Sequence, residues 1–256
     1  MKILFSISLA TFLFVSCKKD NIQPTKTDTV DIAASDSISF KLNDQAFSFT
    51  SFREAFGYKQ INIKPYSTKR QNQIAAYQTG NIWYYGSTDS LLTHQNISFS
   101  GESGHVEIML SKKYNIGNLI ESVVFFPRKG YKYELGDQQF MTDLGGKNTT
   151  EGIYIKLDPI NLTKLTSQSP LDWKNIQWND ATPDNTVQKD SKFTVIKFEK
   201  LEDNRFLLEA NFEVNMYSEK NKKHRITEGF LRFHGQTKPL INQESKLILA
   251  SPQVNE

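Results

Sequence analysis

From Ile38 onward apolar and polar residues alternate with a period of two, the signature of strands with one face in a core and the other in water. Ile38, Phe40 and Leu42 take one face, against Ser37, Ser39 and Lys41. After a turn at Asn43-Asp44-Gln45, Phe47 and Phe49 resume that face opposite Ser48 and Thr50. Val106, Ile108 and Leu110 alternate with His105, Glu107 and Met109, and Ile153, Ile155 and Leu157 with Tyr154 and Lys156. In the longest run Phe206, Leu208, Ala210, Phe212, Val214 and Met216 share one face, while Leu207, Glu209, Asn211, Glu213, Asn215 and Tyr217 share the other. A turn at Leu201-Glu202-Asp203-Asn204 joins it to a strand over Phe193–Lys200. A basic turn at 218–225 then leads into Ile226–His234, where Gly229, Leu231 and Phe233 face inward.

Such runs, with no sustained helical period, predict an all-β fold: an antiparallel β-sandwich, with a partly open β-barrel as the alternative. One domain is expected over 37–250, followed by a tail at 251–256. A long irregular insertion at 159–190 breaks the pattern, with Pro159, Pro170, Pro183, Trp173 and Trp178 and no alternation. Within it, Asn161–Ser167 reads as one or two helical turns capped by Asn161.

The amino-terminal end follows different rules. Lys2 is followed by an apolar, small-residue run over 3–16, shorter than the ~20 residues of a helical span. Phe14-Val15-Ser16-Cys17 resembles the bacterial lipobox, in which the cysteine thiol takes a diacylglycerol and cleavage leaves it as the acylated first residue. Residues 1–16 are therefore expected to be a lipoprotein signal peptide, and 17–36 a polar, disordered tether. The implied partner is a membrane, reached through lipid on Cys17. The implied location is the cell envelope, the outer membrane foremost, with its leaflet open. Buried acyl chains contribute ~0.8 kcal/mol per methylene, enough for a durable anchor when several are present.

Composition narrows the chemistry. Cys17 is the only cysteine, so an intrachain disulfide, a cysteine-ligated metal and a cysteine nucleophile are all excluded from this sequence. The net charge of +3 is interspersed except at Lys220-Asn221-Lys222-Lys223-His224-Arg225, which reads as a solvated turn, so no nucleic-acid partner is expected. His94, His105, His224 and His234 lack the spacing that aims two ligands at one ion, and no metal or cofactor is expected. There is no Gly-x-Ser-x-Gly elbow and no phosphate-cradling glycine loop. Glu209 and Glu213 read as an outer strand face. The chain is expected not to be an enzyme.

Aromatic rings are the better candidates. Trp173 and Trp178 in the insertion, with Trp83 and Tyr85 in Trp83-Tyr84-Tyr85, offer flat faces that stack on sugars. Trp173 and Trp178 can equally fold back as plugs over one end of the domain. In the Trp83-Tyr84-Tyr85 triplet neighbours point to opposite faces, so at most two rings can serve a ligand. Asp28-Thr29-Val30, Asp36-Ser37-Ile38 and Asp89-Ser90-Leu91 resemble the O-glycosylation sequon of Bacteroidota, which makes Thr29, Ser37 and Ser90 candidate modification sites.

Ile38-Ser39-Phe40-Lys41-Leu42-Asn43-Asp44-Gln45-Ala46-Phe47 is similar to the first strand of β-sandwich lipoproteins common in Bacteroidota. Gly130-Tyr131-Lys132-Tyr133-Glu134-Leu135 and Ile226-Thr227-Glu228-Gly229-Phe230-Leu231-Arg232-Phe233 resemble two further elements of that family. Asp44, where the family has a turn glycine, and the 159–190 insertion depart from its pattern. The resemblance implies a fold and a location, and no particular activity. The expected function is a non-catalytic binding module for a glycan or protein ligand. The alternatives are a structural or accessory envelope lipoprotein, or a hydrolase of envelope polymers.

Overall fold

The computed structural model describes residues 35–239 apart from 62–63, 67–68, 70, 72–76, 88, 123, 146, 161 and 170–184. The expected leader, the expected lipidation site Cys17, Thr29, Trp173, Trp178 and the 251–256 tail lie outside the described residues.

Sixteen strands form among the described residues. The first group is β1 (Ser37–Leu42), β2 (Gln45–Phe49), β3 (Ser51–Gln60), β4 (Lys64–Tyr66), β5 (Tyr77–Thr79) and β6 (Ile82–Tyr85). A central group follows: β7 (Ser90–Gly101), β8 (Gly104–Asn115), β9 (Leu119–Ile120), β10 (Phe126–Pro127), β11 (Gly136–Asp137) and β12 (Gly152–Pro159). The last are β13 (Leu165–Thr166), β14 (Lys192–Lys200), β15 (Arg205–Ser218) and β16 (Lys223–Gln236).

The main sheet runs β2-β1-β16-β15-β13-β12-β8-β7-β3, with β14 on the flank of β15 and β11 on β14. Its strand pairs are antiparallel. The path curls into a near-closed barrel. Its end strands, β2 and β3, are not hydrogen-bonded to each other, and this is the one unsealed seam. A small separate sheet, β4-β6-β5, and the β9-β10 pair complete the fold. The all-β antiparallel expectation holds, and the architecture is the barrel alternative rather than the sandwich.

Alternation puts phenylalanine into the barrel. Phe40 stacks on Phe47 at 5.5 Å and meets Phe212 at 6.2 Å, with Phe193 stacked on Phe212 at 5.9 Å. A second group joins Phe52 to Phe99 at 5.3 Å, Phe206 to Phe233 at 5.5 Å and Tyr133 to Phe206 at 5.7 Å. Rings at these offsets fill a small barrel lumen and add to the burial of their apolar area. Between β3 and β16 the contact is both apolar and polar: Phe52 stacks on Phe233 at 5.9 Å, and the Glu54 carboxylate accepts from the Gln236 backbone N–H at 3.0 Å. Glu54 also accepts from the side-chain amide of Gln95 on the neighbouring β7. Burial raises the pKa of Glu54 against those hydrogen bonds.

Two departures from the sequence pattern matter. Leu165–Thr166, expected in a helical turn, is a strand that pairs with both β12 and β15. Strand β7 escapes the period-two signal because Leu91 to Gln95 are buried on both faces: Ile61 and Met141 pack on Leu92 outside, and the lumen takes Leu91, Thr93 and Gln95.

Gly229 faces Phe212 across β15–β16, and a Cβ there would stand 2.5 Å from the Phe212 carbonyl oxygen. Gly229→Ala should therefore cost about 1–3 kcal/mol through overpacking. Urea unfolding should show a lower midpoint with an unchanged slope.

Candidate functional site

Strands β12 and β15 do not pair with each other, and β13 together with β14 and its short partner β11 fills the wedge between them. At one end β13 bridges them, through Lys156 opposite Thr166 and Thr166 opposite Tyr217. At the other end β14 lies along β15, and the chain from Gly136 to Met141 bridges β14 to β12. Gly136 and Asp137 pair with β14, the Ile153 N–H donates to the Gln139 carbonyl at 2.9 Å, and the Met141 N–H donates to the Ile153 carbonyl at 2.9 Å. Gly152 is required here: its φ is +128°, and a Cβ would fall 2.1 Å from the Gln139 carbonyl oxygen.

Two cavities open beside this wedge. The first, of about 560 Å³, is walled by Tyr154 from β12 and Tyr217 from β15, both on the outer faces opposite core residues. Thr166, Gln168 and Ser169 form another side, Leu144 and Gly145 face them, and Lys164 and Glu219 supply one charge of each sign. The Tyr217 hydroxyl donates to the Val187 carbonyl at 2.9 Å, which fixes its ring. Burial pushes the Tyr154 phenol up to about 12, so it stays a neutral donor. Gln168 is 5% exposed, and its Nε2 has no hydrogen-bond partner. A buried amide donor left unused is costly, and a ligand acceptor would recover that cost.

The second cavity is a polar cleft of about 860 Å³. Its walls carry the amides Asn115, Gln138, Gln139 and Gln188, the hydroxyls Thr142, Thr149, Thr150 and Ser191, and the ring of Phe140. Lys113 and Glu151 again give one charge of each sign. Both volumes lie in the ~300–1,000 Å³ range of small-molecule sites.

One loop walls both cavities, and a buried carboxylate holds it. Asp143 is 0% exposed and accepts from the Thr149 N–H and Oγ1, each at 2.7 Å, from the Thr150 N–H at 3.0 Å and from Thr150 Oγ1. The sequence reading passed over this loop. Its visible signal is an aspartate followed by Gly145-Gly146 and Thr149-Thr150, a turn pair and two donors within reach of one acceptor. Segment 185–191 is fixed opposite. Gln188 Nε2 donates to the Asn215 carbonyl at 2.8 Å and to the Ser167 carbonyl, and Arg225 Nη1 donates to Asn215 Oδ1 at 2.9 Å.

The sequence candidates fall differently. Trp173 and Trp178 lie in 170–184, outside the described residues. Trp83 is half-buried on β6 and is not among the described residues lining the two cavities, and Tyr85 ends that strand. Ser37 opens β1, half-buried, opposite Arg232; Ser90 opens β7 at 7% exposure on the edge of the polar cleft. Glu209 is ion-paired with Arg232, and Glu213 with Arg225 at 2.9 Å. Among the described residues no group of three or more His, Cys, Asp or Glu is placed to hold a metal, and no helix is long and apolar enough to cross a membrane.

No family model, no curated protein and no solved structure matches this chain. What defines it is the fold and the site together: an all-β, near-closed antiparallel barrel with two neutral, hydrogen-bonding cavities at a wedge in its wall.

His94 lies on the outer face of β7 opposite Ser111, 5% exposed; its Nδ1 has no hydrogen-bond partner, nor has Ser111 Oγ. Burial, aided by Lys59, pushes its pKa down to about 4. The unfolded chain, with its histidine at the ordinary 6.5, therefore binds a proton that the folded protein refuses between those values. Stability should be unaffected by His94 above pH 6.5 and fall as pH drops toward 4, by roughly 3 kcal/mol in all. Chemical denaturation across that window should show a drop in wild type that is smaller in His94→Gln.

Proposed function

We propose that this chain is a lipid-anchored, extracytoplasmic binding module, non-catalytic, whose ligand is a glycan. The cavity walled by Tyr154 and Tyr217, with the unused donor of Gln168 beside them, carries the reading. Aromatic faces suit the apolar faces of sugar rings, amides and hydroxyls suit their hydroxyl groups, and balanced charges favour a neutral ligand over an anion. The lipobox-like Phe14-Val15-Ser16-Cys17 supports the anchor, and the envelope location follows from it.

A second reading, an accessory envelope lipoprotein, draws on the edges of β2 and β3 at the seam, which have no strand partner among the described residues and offer an edge to a partner strand.

Full-length protein in detergent, tested on an array of neutral glycans, should retain a hit that Gln168→Leu weakens about tenfold, the equivalent of roughly 1.4 kcal/mol. The same substitution removes a buried orphan donor, so thermal stability should hold or rise. Loss of stability without loss of binding counts against the site. An array without hits, with whole-cell crosslinking to one stoichiometric envelope protein, favours the accessory reading. Separately, Cys17→Ser should move the protein from the membrane fraction to the soluble fraction, and mass spectrometry of the native amino-terminal peptide should show acyl chains on Cys17.

A further inference from the structure

The two cavities are neighbours through walls one chain thick. Thr142 lines the polar cleft and Leu144 the tyrosine-walled cavity, and only Asp143 stands between them in sequence. Two residues of chain span at most about 7 Å. On the opposite side Gln188, in the cleft wall, donates to the Ser167 carbonyl, and the next residue, Gln168, lines the other cavity. Both partitions are held from within, by the hydrogen bonds into Asp143 and by those joining Gln188 to Asn215. They are fixed walls, set before any ligand arrives.

The two linings differ in balance, the tyrosine-walled cavity mostly apolar and the cleft mostly polar, but share the same kinds of group. Each combines aromatic carbon with amides and hydroxyls, and each includes one lysine and one glutamate among its described residues. A charged ligand would find no excess of countercharge in either. A ligand of repeated sugar units, each with an apolar ring face and a hydroxyl edge, finds a stacking site and a hydrogen-bonding site a short step apart.

We infer that the tyrosine-walled cavity and the polar cleft are two subsites for successive parts of one neutral oligosaccharide that crosses the Thr142–Leu144 rim, with Asp143 as the residue that positions the rim. This rests on the glycan reading above and deepens it: the ligand is a chain, not a single sugar. Once the first unit is seated, the second meets its subsite at an effective concentration set by the linkage, so affinity rises with chain length up to the span and then levels.

The test uses full-length protein in detergent and neutral gluco-, manno- and galacto-configured ladders, from mono- to octasaccharide, read by calorimetry. At least one ladder should show a step of about tenfold or more in affinity at an intermediate length, followed by a plateau. Gln139→Ala, which alters only an exposed side chain of the polar cleft, should flatten that step. Tyr217→Ala should weaken every rung. Asp143→Asn should flatten the step more than it weakens the shortest binding rung, a split that general destabilisation would not produce. A ladder that binds equally at every length overturns the two-subsite inference while leaving the glycan reading intact. No binding by any ladder, or a step insensitive to Gln139→Ala, overturns the inference as well, and only the former also removes the glycan reading.

Discussion

Closing a barrel means that every strand's backbone donors and acceptors must find a partner, and this protein has to meet that demand where β12 and β15 diverge. A bare wedge would leave buried amides and carbonyls without partners, each at a cost comparable to a lost hydrogen bond. The chain fills it with Leu165–Thr166 at one end, and at the other with β14 along β15 and the stretch from Gly136 to Met141 between β14 and β12. Neither Leu165–Thr166 nor the stretch from Gly136 to Met141 is long enough to continue the sheet smoothly. The surface there is consequently broken into hollows, and both cavities lie beside these patches. Function in this molecule, as proposed, is a by-product of how the barrel is closed.

The phenylalanine core makes that compromise tolerable. Phe40, Phe47, Phe49, Phe193 and Phe212 pack as one group, and Phe99, Phe206 and Phe233 as another, against which the partly buried Phe52, Phe198 and Tyr133 pack. Burying large rings on either side of the seam supplies a driving force that does not depend on ladder hydrogen bonds between β2 and β3. Glu54 then ties β3 to the end of β16 through the Gln236 N–H. The β3 side of the unsealed seam is thus held by packing and one polar clasp.

Where a strand has one dry and one wet face, its position was legible in the amino-acid order. Phe206 to Met216 and Ile153 to Leu157 take the faces their alternation requires, and Tyr154 and Tyr217 point outward as their positions predict. Strand β7 was not legible, because Leu92 and His94 are covered on the outside while Thr93 and Gln95 sit in the lumen, which erases the contrast that periodicity measures. Gln95 is polar in the lumen because the Tyr133 hydroxyl and Glu54 satisfy it. The cavities themselves could not be read from the order of residues. Tyr154 and Tyr217 are more than sixty positions apart, and the pairing of Leu165 and Thr166 with both β12 and β15 brings their strands together.

The tyrosine wall therefore depends on β13. A two-residue strand is a weak element by its own hydrogen bonds, so the tyrosine wall relies on what locks β13 in place. The Ser167 N–H donates to the Ile155 carbonyl at 2.8 Å, Ser167 Oγ accepts from the Ile155 N–H at 2.9 Å, and the Ser167 carbonyl accepts from Gln188. One buried serine thereby joins β12, β13 and the 185–191 segment, and through Gln188 it reaches the buried Asn215 on β15. The same network that closes the barrel fixes one wall of each cavity. A ligand entering there meets surfaces already paid for by folding, which is the condition under which a modest set of stacking and hydrogen-bonding contacts yields usable affinity.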